Sequence, residues 1–265
     1  MIPLRDNLRC NTFPLATLII IGLNLAAFFI ELMVFGSGSP DRFFSTYTMI
    51  PGKVVHAFQV ADPYLIGMAV LSIFTAMFLH GGWMHIIGNM LYLYAFGRGM
   101  EARLGRARYV AFYLLSGVAA AVAQIWSDPT SMVPTLGASG AIAGVLGGYL
   151  LMWPKAKIKG IFLLGIFPIP FTAPAFWYLL FWFGMQLFSV VSSIGHVGPG
   201  DGVAYWAHVG GFVSGLLMAG AWKLYRPQSD VCYIPEDCNT CPPEKPGSGP
   251  AAPPSDPSAD RDDDK

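Results

Sequence analysis

Six stretches of this sequence are apolar over nearly the thickness of a bilayer. They lie near residues 15–34, 83–99, 109–126, 138–153, 174–193 and 204–222. Crossing ~30 Å of hydrocarbon takes roughly 20 helical residues, and only helices or closed barrels satisfy their own backbone there. With 54% hydrophobic and 12% charged residues, the chain is also too apolar for an ordinary soluble domain. We therefore predict an all-α, polytopic membrane protein, a bundle of six transmembrane helices.

The first apolar stretch and the one at 65–79 need separate treatment. The stretch from Leu15 contains Asn24 and Glu31 and closes on no small-residue cleavage site, so it is predicted to be a retained helix and not a signal peptide. The stretch at 65–79 is followed, after His80, by only two glycines before the next span. Two antiparallel spans cannot be joined so tightly, so this stretch is predicted to be a partly embedded helix within a long first loop.

Basic residues near the span ends predict the orientation. Eleven fall on one side: Arg5, Arg9, Arg98, Arg103, Arg106, Arg108, Lys155, Lys157, Lys159, Lys223 and Arg226. Only Arg42 and Lys53 fall on the other. Because basic residues accumulate on the cytoplasmic side, both termini are predicted to be cytoplasmic.

The chain is therefore divided into a cytoplasmic N-terminal segment at 1–13, a membrane domain at 14–225 and a disordered cytoplasmic tail at 226–265. The tail is rich in Pro, Gly, Ser and Asp and too polar to bury a core. A formal net charge of zero gives no indication of a nucleic-acid partner.

Four cysteines occur, Cys10 ahead of the spans and Cys232, Cys238 and Cys241 behind them. They predict no disulfide framework for the membrane domain. The three tail thiols have the spacing C-x5-C-x2-C without a nearby histidine, which is an incomplete set for a tetrahedral metal. Free thiols in the tail are the preferred interpretation.

The sequence Gly137-Ala138-Ser139-Gly140 places a serine at the predicted outer end of the fourth span. The first turn of a helix presents unpaired N–H groups and the positive end of the helix dipole, which would stabilise an oxyanion. A serine at such a place is also an ordinary helix N-cap. Taken alone, the motif leaves both interpretations open.

Small residues form matching stripes on the fourth and sixth spans. The stripes are Ser139, Ala143 and Gly147, then Gly140, Gly144 and Gly148, and on the sixth span Ala204, His208, Gly211, Gly215 and Ala219. Such surfaces let two helix backbones approach closely, and their packing would carry His208 towards Ser139. A neutral imidazole within hydrogen-bond reach of a serine suffices for nucleophilic catalysis. We therefore predict Ser139 as nucleophile and His208 as general base.

His85 and Asn89 lie four residues apart at the outer end of the second span, so they share a helical face. Both can donate hydrogen bonds, which predicts a role in stabilising an oxyanion. His80 is five residues from His85 and does not share that face. A metal site formed by His80, His85 and His208 is the alternative, but no carboxylate accompanies it. We therefore expect no metal, cofactor or nucleotide.

Other polar residues of the spans are predicted to make interhelical hydrogen bonds. These are Asn24, Ser116, Gln124 and Gln186. No acidic residue is placed to orient His208, since Glu31 and Glu101 are assigned to cytoplasmic or otherwise unsuitable ends of their helices. We therefore predict a dyad and not a triad, and we expect Glu101 to serve a helix end.

Together these motifs resemble the rhomboid family of intramembrane serine proteases. The resemblance covers roughly residues 10–225 and rests on Gly137-x-Ser139-Gly140, on Ala207-His208 followed by Gly211 and Gly215, on His85-x-x-x-Asn89, and on Glu101-x-x-x-Gly105. It implies a six-helix bundle with Ser139 as nucleophile, His208 as base, and His85 and Asn89 in the oxyanion hole beside the Ser139 amide. It also implies a mobile lid, for which the glycine-rich stretch at 195–202 is suited.

One departure from the family pattern concerns the catalytic histidine. Many rhomboids carry a tyrosine four residues after the nucleophile that stacks on this histidine, whereas this chain has Ala143. The resemblance therefore leaves open how His208 is oriented.

The predicted function is that of an intramembrane serine endopeptidase of a bacterial inner membrane, with the oligomeric state left open. Its partners would be transmembrane protein substrates, cleaved near the outer membrane boundary after local unwinding of their helices. One alternative is a catalytically silent relative that binds and escorts membrane proteins, which would have no need of both Ser139 and His208. The other is a channel or small-solute transporter, but the polar residues cluster at outer helix ends and do not cross the membrane.

Overall fold

The computed structural model describes residues 1–193, except 11, 37, 39 and 166, together with 204–225 and 232–233. Within these residues the helices are α1 Leu15–Gly36, α2 Pro40–Tyr47, α3 Pro51–Gln59, α4 Pro63–Ala76, α5 Trp83–Leu104, α6 Arg106–Ser127, α7 Ser139–Met152, α8 Ala175–Ser193 and α9 Tyr205–Tyr225. The strands are β1 Ile2–Asp6, β2 Arg9–Cys10, β3 Lys157–Leu164, β4 Phe167–Pro174 and β5 Cys232–Tyr233.

The six predicted spans correspond to α1, α5, α6, α7, α8 and α9. Among the described residues, three helices are long and apolar enough to cross a membrane, namely α1, α6 and residues 175–192 of α8. Helix α7 has 14 residues, and α5 and α9 are long but less apolar. The chain is thus a mostly helical membrane protein. The count of six spans and the cytoplasmic termini stay predictions.

The bundle has two ends, an outer end and a basic end. The outer end is the one at which α5, α7 and α9 begin, with Trp83, Ser139 and Tyr205. The basic end is the opposite one, with Arg103 and Arg106.

The long loop between α1 and α5 contains the three short helices α2, α3 and α4. Helix α4 is the apolar helix predicted at 65–79, and it begins at Pro63. The Asp62 carboxylate accepts hydrogen bonds from the backbone N–H groups of Tyr64 and Leu65, at 2.8 and 3.1 Å. An acidic N-cap followed by proline is a strong helix start, which explains the position of this boundary.

A three-stranded antiparallel sheet shows that the all-α prediction is incomplete. Its strand order is β1-β3-β4, with Ile2 opposite Ile161 and Leu164 opposite Phe167. The start of β3 alternates between exposed lysines and buried residues, which is the period of a strand. The prediction missed this pattern because 154–174 was treated as a simple connection between spans and because β1 lies far away in the sequence.

A second, two-stranded ladder corrects the interpretation of the cysteines. Strand β2 pairs with β5, and Cys10 lies opposite Cys232. Cys10 is disulfide-bonded, a bond outside the membrane domain that was not predicted. Antiparallel pairing brings opposite Cα atoms within the distance range of a disulfide. The rest of the predicted tail and the predicted lid at 195–202 lie outside the described residues.

Helix α1 is capped by a carboxylate from α5. Glu101, only 3% exposed, accepts hydrogen bonds from the backbone N–H groups of Ala16 and Thr17, at 2.8 and 2.7 Å, and from the Thr17 hydroxyl at 2.8 Å. The first turn of a helix lacks intrahelical partners for these N–H groups. The prediction that Glu101 serves a helix end is therefore confirmed.

Helices α7 and α9 pack through glycines on both partners. A methyl group at Gly211 would meet the carbonyl oxygen of Gly140, and one at Gly215 would meet that of Gly144. The two backbones therefore touch directly, and the predicted packing of the small-residue stripes is confirmed.

We expect Gly215→Ala to lower the stability of the bundle by about 1–3 kcal/mol, because the added methyl has to displace backbone atoms. Gly22→Ala is the matched control, since a methyl there meets no atom within 4 Å, and it should be neutral or slightly stabilising. Thermal unfolding in detergent micelles measures both variants. Equal Tm values would contradict the direct backbone contact.

Candidate active site

A cavity of about 820 Å³ opens at the outer end of the bundle. Its lining includes all four residues predicted for catalysis, Ser139, His208, His85 and Asn89. These residues come from α5, α7 and α9, which are separate in sequence, so the fold brings the predicted site together.

Ser139 is the first residue of α7, and the N-cap position belongs to Ala138. The Ser139 side chain makes no cap and lies with its Oγ 2.8 Å from Nε2 of His208, in the first turn of α9. Of the two interpretations left open by the sequence, the structure therefore excludes the N-cap. The serine is also next to the unpaired N–H groups of the α7 start, where negative charge is stabilised.

The second ring nitrogen of His208 contacts α8. Its Nδ1 lies 2.7 Å from Oε1 of Gln186, which confirms an interhelical hydrogen bond for this glutamine. One turn earlier on α8, the Trp182 ring lies beside the His208 imidazole, with ring centroids 6.0 Å apart. Because an amide oxygen only accepts, Nδ1 carries the proton. Nε2 is then the acceptor for the Ser139 hydroxyl.

Gly137 allows the His85 imidazole to stand beside the serine. A methyl group at this position would lie 2.8 Å from Cε1 and Nε2 of His85 and 3.5 Å from Oγ of Ser139. The backbone φ of Gly137 is also +127°, a conformation that other residues avoid. Glycine is therefore required here for both space and backbone conformation.

Asn89 is oriented by a buried histidine that the sequence analysis did not place in the site. Nδ2 of Asn89 lies 2.9 Å from Nε2 of His80, and Nδ1 of His80 lies 3.2 Å from the carbonyl oxygen of Phe78. Since the carbonyl only accepts, Nδ1 of His80 donates to it and Nε2 accepts from the Asn89 amide. An amide nitrogen has two hydrogens, so Asn89 retains one for a ligand in the cavity.

His80 and His85 are neighbours although they are five positions apart in the sequence. Their rings are in an edge-to-face arrangement with centroids 5.1 Å apart. His80 lies in the turn before α5, where helical spacing does not apply. The spacing of five residues therefore did not predict that the two rings are in contact. The alternative metal site would need an available nitrogen on each ring. In the structure, both ring nitrogens of His80 and of His208 already bond to protein groups.

Comparison with known proteins places the chain in a family. A family model described as Rhomboid domain matches residues 68–225, more than half of the chain. The chain belongs to the rhomboid family. The mitochondrial rhomboid protein 1 of Saccharomyces cerevisiae is 27% identical to this rhomboid over 237 residues, which are 79% of this chain and 64% of the yeast protein.

Two bacterial relatives carry the word protease in their names. The rhomboid protease AarA of Providencia stuartii is 26% identical over 224 residues, covering 78% of this chain and 72% of the relative. The putative rhomboid protease YdcA of Bacillus subtilis is 36% identical over 78 residues, covering 29% of this chain and 39% of the relative. This rhomboid thus spans less than two thirds of the length of the yeast protein and of YdcA.

Glu31 supports the site from α1. Both of its carboxylate oxygens accept the backbone N–H of His80, at 2.9 and 3.1 Å, and the residue is fully buried. The assignment of Glu31 to an unsuitable helix end was wrong, because α1 starts at the basic end and Glu31 lies near its outer end. Glu31 thus contacts the loop that carries His80. It is linked to Asn89 through His80, which bonds to both residues.

We expect Glu31→Ala to destabilise this rhomboid by about 2 kcal/mol, because the buried backbone N–H of His80 loses its acceptor. Glu31→Gln keeps one acceptor oxygen and should recover part of that loss. Thermal unfolding of both variants in the same detergent makes the comparison. If the alanine variant were as stable as the wild type, the hydrogen bonds to His80 would contribute nothing.

Proposed function

We propose that this rhomboid protein is an intramembrane serine endopeptidase that cleaves transmembrane segments near the outer membrane boundary. The observation that carries the proposal is the 2.8 Å contact between Ser139 Oγ and His208 Nε2 within the cavity. Relatives named as proteases support the same activity. The dyad roles, the substrates and the cleavage position are part of the proposal.

In the first half of the proposed reaction, Ser139 Oγ attacks the carbonyl carbon of the scissile peptide. Its proton passes to Nε2 of His208, which is the unprotonated ring nitrogen. When the tetrahedral intermediate collapses, the C–N bond breaks and His208 gives this proton to the leaving amine. An acyl-enzyme ester on Ser139 is left.

The negative charge of the tetrahedral intermediate needs donors at the place where it develops. In the proposal these are the Ser139 backbone N–H at the start of α7, the His85 imidazole beside Gly137, and the Asn89 hydrogen not used by His80. A single donor of this kind contributes ~2.7–4 kcal/mol to transition-state stabilisation. His80 and Glu31 act indirectly, since they orient Asn89 and the loop.

In the second half, a water molecule in the cavity loses a proton to His208 Nε2 and attacks the ester carbon. The proton then returns to Ser139 Oγ as the C–O bond breaks, which restores the dyad. The cavity opens at the outer end, so water can reach Ser139 without crossing the hydrocarbon. Substrate helices would need to unwind locally before a carbonyl could enter, which favours small or helix-breaking residues.

The proposal includes a lipid bilayer and membrane-protein substrates. Localisation in a bacterial inner membrane stays a prediction, because the relatives include mitochondrial and chloroplast proteins as well as bacterial ones.

We expect purified wild-type protein in liposomes to cleave a model single-span substrate and to react with a fluorophosphonate at Ser139. Ser139→Ala and His208→Ala should each lose cleavage by about 10³-fold or more. Ser189→Ala is a matched control, because the Ser189 hydroxyl bonds to a carbonyl of its own helix. It should cleave like the wild type. Equal behaviour of all four proteins on several substrates would reject the proposal and favour the escort function.

A further inference from the structure

The tip of the β3–β4 hairpin is apolar on both faces. Leu163, Leu164, Phe167 and Ile169 are 50%, 61%, 68% and 45% exposed. Consecutive residues of a strand point to opposite faces, so neither face of the tip is covered by the protein. An exposed apolar strand end of this kind is an association site unless another apolar phase covers it.

The sheet runs beside α5 from the basic end towards the middle of the bundle. At the end of β1, Asp6 forms an ion pair of 3.0 Å with Arg98. At the start of β1, the carbonyl oxygen of Met1 accepts a hydrogen bond of 2.9 Å from the Tyr92 hydroxyl. Tyr92 precedes the end of α5 at Leu104 by ~18 Å at 1.5 Å per residue. The start of β1 therefore lies deep along a predicted span.

The hairpin tip extends beyond the start of β1, towards the outer end of the bundle. Ile161 is opposite Ile2, and β3 continues for three more residues to Leu164, ~10 Å at strand spacing. The hairpin also contacts α8, because the Phe171 ring stacks on Tyr178 with centroids 5.7 Å apart. Tyr178 in turn donates a 2.9 Å hydrogen bond to the Tyr92 hydroxyl. Added to the ~18 Å between Tyr92 and Leu104, this extension places the tip up to ~28 Å from the basic end of α5, still within the length of that helix.

The free edge of the hairpin is adapted to an environment without water. Strand β4 is the edge strand, and its prolines, Pro168, Pro170 and Pro174, occur at even positions. In an antiparallel pair, alternate residues direct their N–H groups away from the partner strand. Proline cannot donate, so it occupies these outward positions and removes unpaired donors from the edge. The prolines lower the cost of placing this open edge in hydrocarbon, although the Thr172 N–H and the edge carbonyl groups still carry that cost.

We propose that the tip of the β3–β4 hairpin is immersed in lipid, with acyl chains as its partner. At the base of the hairpin, Lys159 is exposed. Its ammonium group would reach the phosphates of the headgroup layer. The hairpin is then a lipid-contacting element beside α8 that enters the membrane from the basic end and returns to it.

The test uses a nitroxide attached to p-acetylphenylalanine at position 164, which leaves the cysteines untouched. The full chain is placed in vesicles of phosphatidylethanolamine and phosphatidylglycerol, and a label at Lys155 in the loop before β3 is the control. We expect oxygen to relax the label at 164 several-fold more than a water-soluble nickel chelate does, and the reverse at 155. Thermal unfolding confirms that both labelled proteins are folded.

Three results would overturn the proposal. Relaxation by the nickel chelate at 164 as strong as at 155 would place the tip in water. A label reached by neither reagent would mean that protein covers the tip. Dipolar broadening between labels would identify that protein as a second copy of the chain.

A second inference comes from the environment of His208 and rests on the proposed protease function. Its Nδ1 lies 2.7 Å from Gln186 Oε1, and the residue four positions after Ser139 is Ala143, which has no ring to stack on the imidazole. We infer that Gln186 is a positioning residue that acts through His208. It keeps the proton on Nδ1 and the ring turned so that Nε2 points to Ser139.

Gln186 lies on a different helix from the two residues of the dyad. Ser139 and His208 belong to α7 and α9, whose backbones are in direct contact through glycines. Gln186 belongs to α8. Displacing α8 from α9 would separate the amide oxygen from the imidazole without moving the serine. The orientation of His208 therefore depends on the position of α8.

The test compares Gln186→Leu, which removes the acceptor, with Gln186→Glu, which retains one. Gln124→Leu is the matched control, since Gln124 lies on α6 and outside the cavity lining. We expect Gln186→Leu to lower kcat about 10–100-fold with little change in KM, the range found for groups that orient metal-ligating histidines. Gln186→Glu should recover most of kcat, and Gln124→Leu should retain it.

The outcomes separate this inference from the proposed function. If wild-type protein neither cleaves nor reacts with a fluorophosphonate, the protease function itself fails. If wild type is active and Gln186→Leu has the same kcat, Gln186 does not position His208. If both Gln186 variants lose activity equally, the amide is needed only for packing and the inference is rejected.

Discussion

Direct contact between the backbones of α7 and α9 determines the geometry of the outer end of the bundle. Helix axes in proteins are usually 8–10 Å apart because side chains separate them. Glycines at 140, 144, 211 and 215 remove those side chains at the contact. Ser139 and His208, each in the first turn of its helix, are thereby brought within hydrogen-bond distance. Since lipid tails are as apolar as the helices, close van der Waals contact replaces the hydrophobic effect as the source of this association.

Polar groups around the cavity are arranged in a sequence of paired donors and acceptors. Glu31 accepts the His80 backbone N–H, His80 accepts from Asn89, and Gln186 accepts from His208. Each pair lies in an environment where an unpaired group would be costly. The pairs also fix the proton on one nitrogen of each ring. The cavity is therefore electrostatically organised by the protein itself, which is the condition that the proposed stabilisation of a developing charge requires.

The sequence was most informative where helical periodicity applies. The glycine stripes and the pair His85 and Asn89 follow directly from spacings of three and four. His80 was missed because it belongs to a turn, where those spacings have no meaning. Gln186 was recognised as an interhelical hydrogen bonder, but its partner depends on the rotation of α8, which an almost uniformly apolar helix does not reveal.

Non-local pairing explains the remaining errors. Strand β1 finds its partner β3 more than a hundred residues later, and β2 pairs with β5 near the end of the described chain. A short amphipathic strand has no strong signal of its own, and its pairing is decided by elements that the local sequence does not contain. The disulfide at Cys10 escaped prediction for the same reason.

Two carboxylates, Glu101 and Glu31, form hydrogen bonds at the two ends of α1. This arrangement has a consequence for biosynthesis. At one end of α1, the first-turn N–H groups are satisfied by Glu101, and at the other, Glu31 is satisfied by the backbone of His80. Both partners are synthesised only after α1 has left the ribosome. During that interval α1 carries an unmatched acid near one end and unmatched donors at the other, so it is an incomplete element in the membrane. Arrival of α5 and its preceding loop completes both ends in one event, which makes the pairing of α1 with α5 a natural first step of assembly.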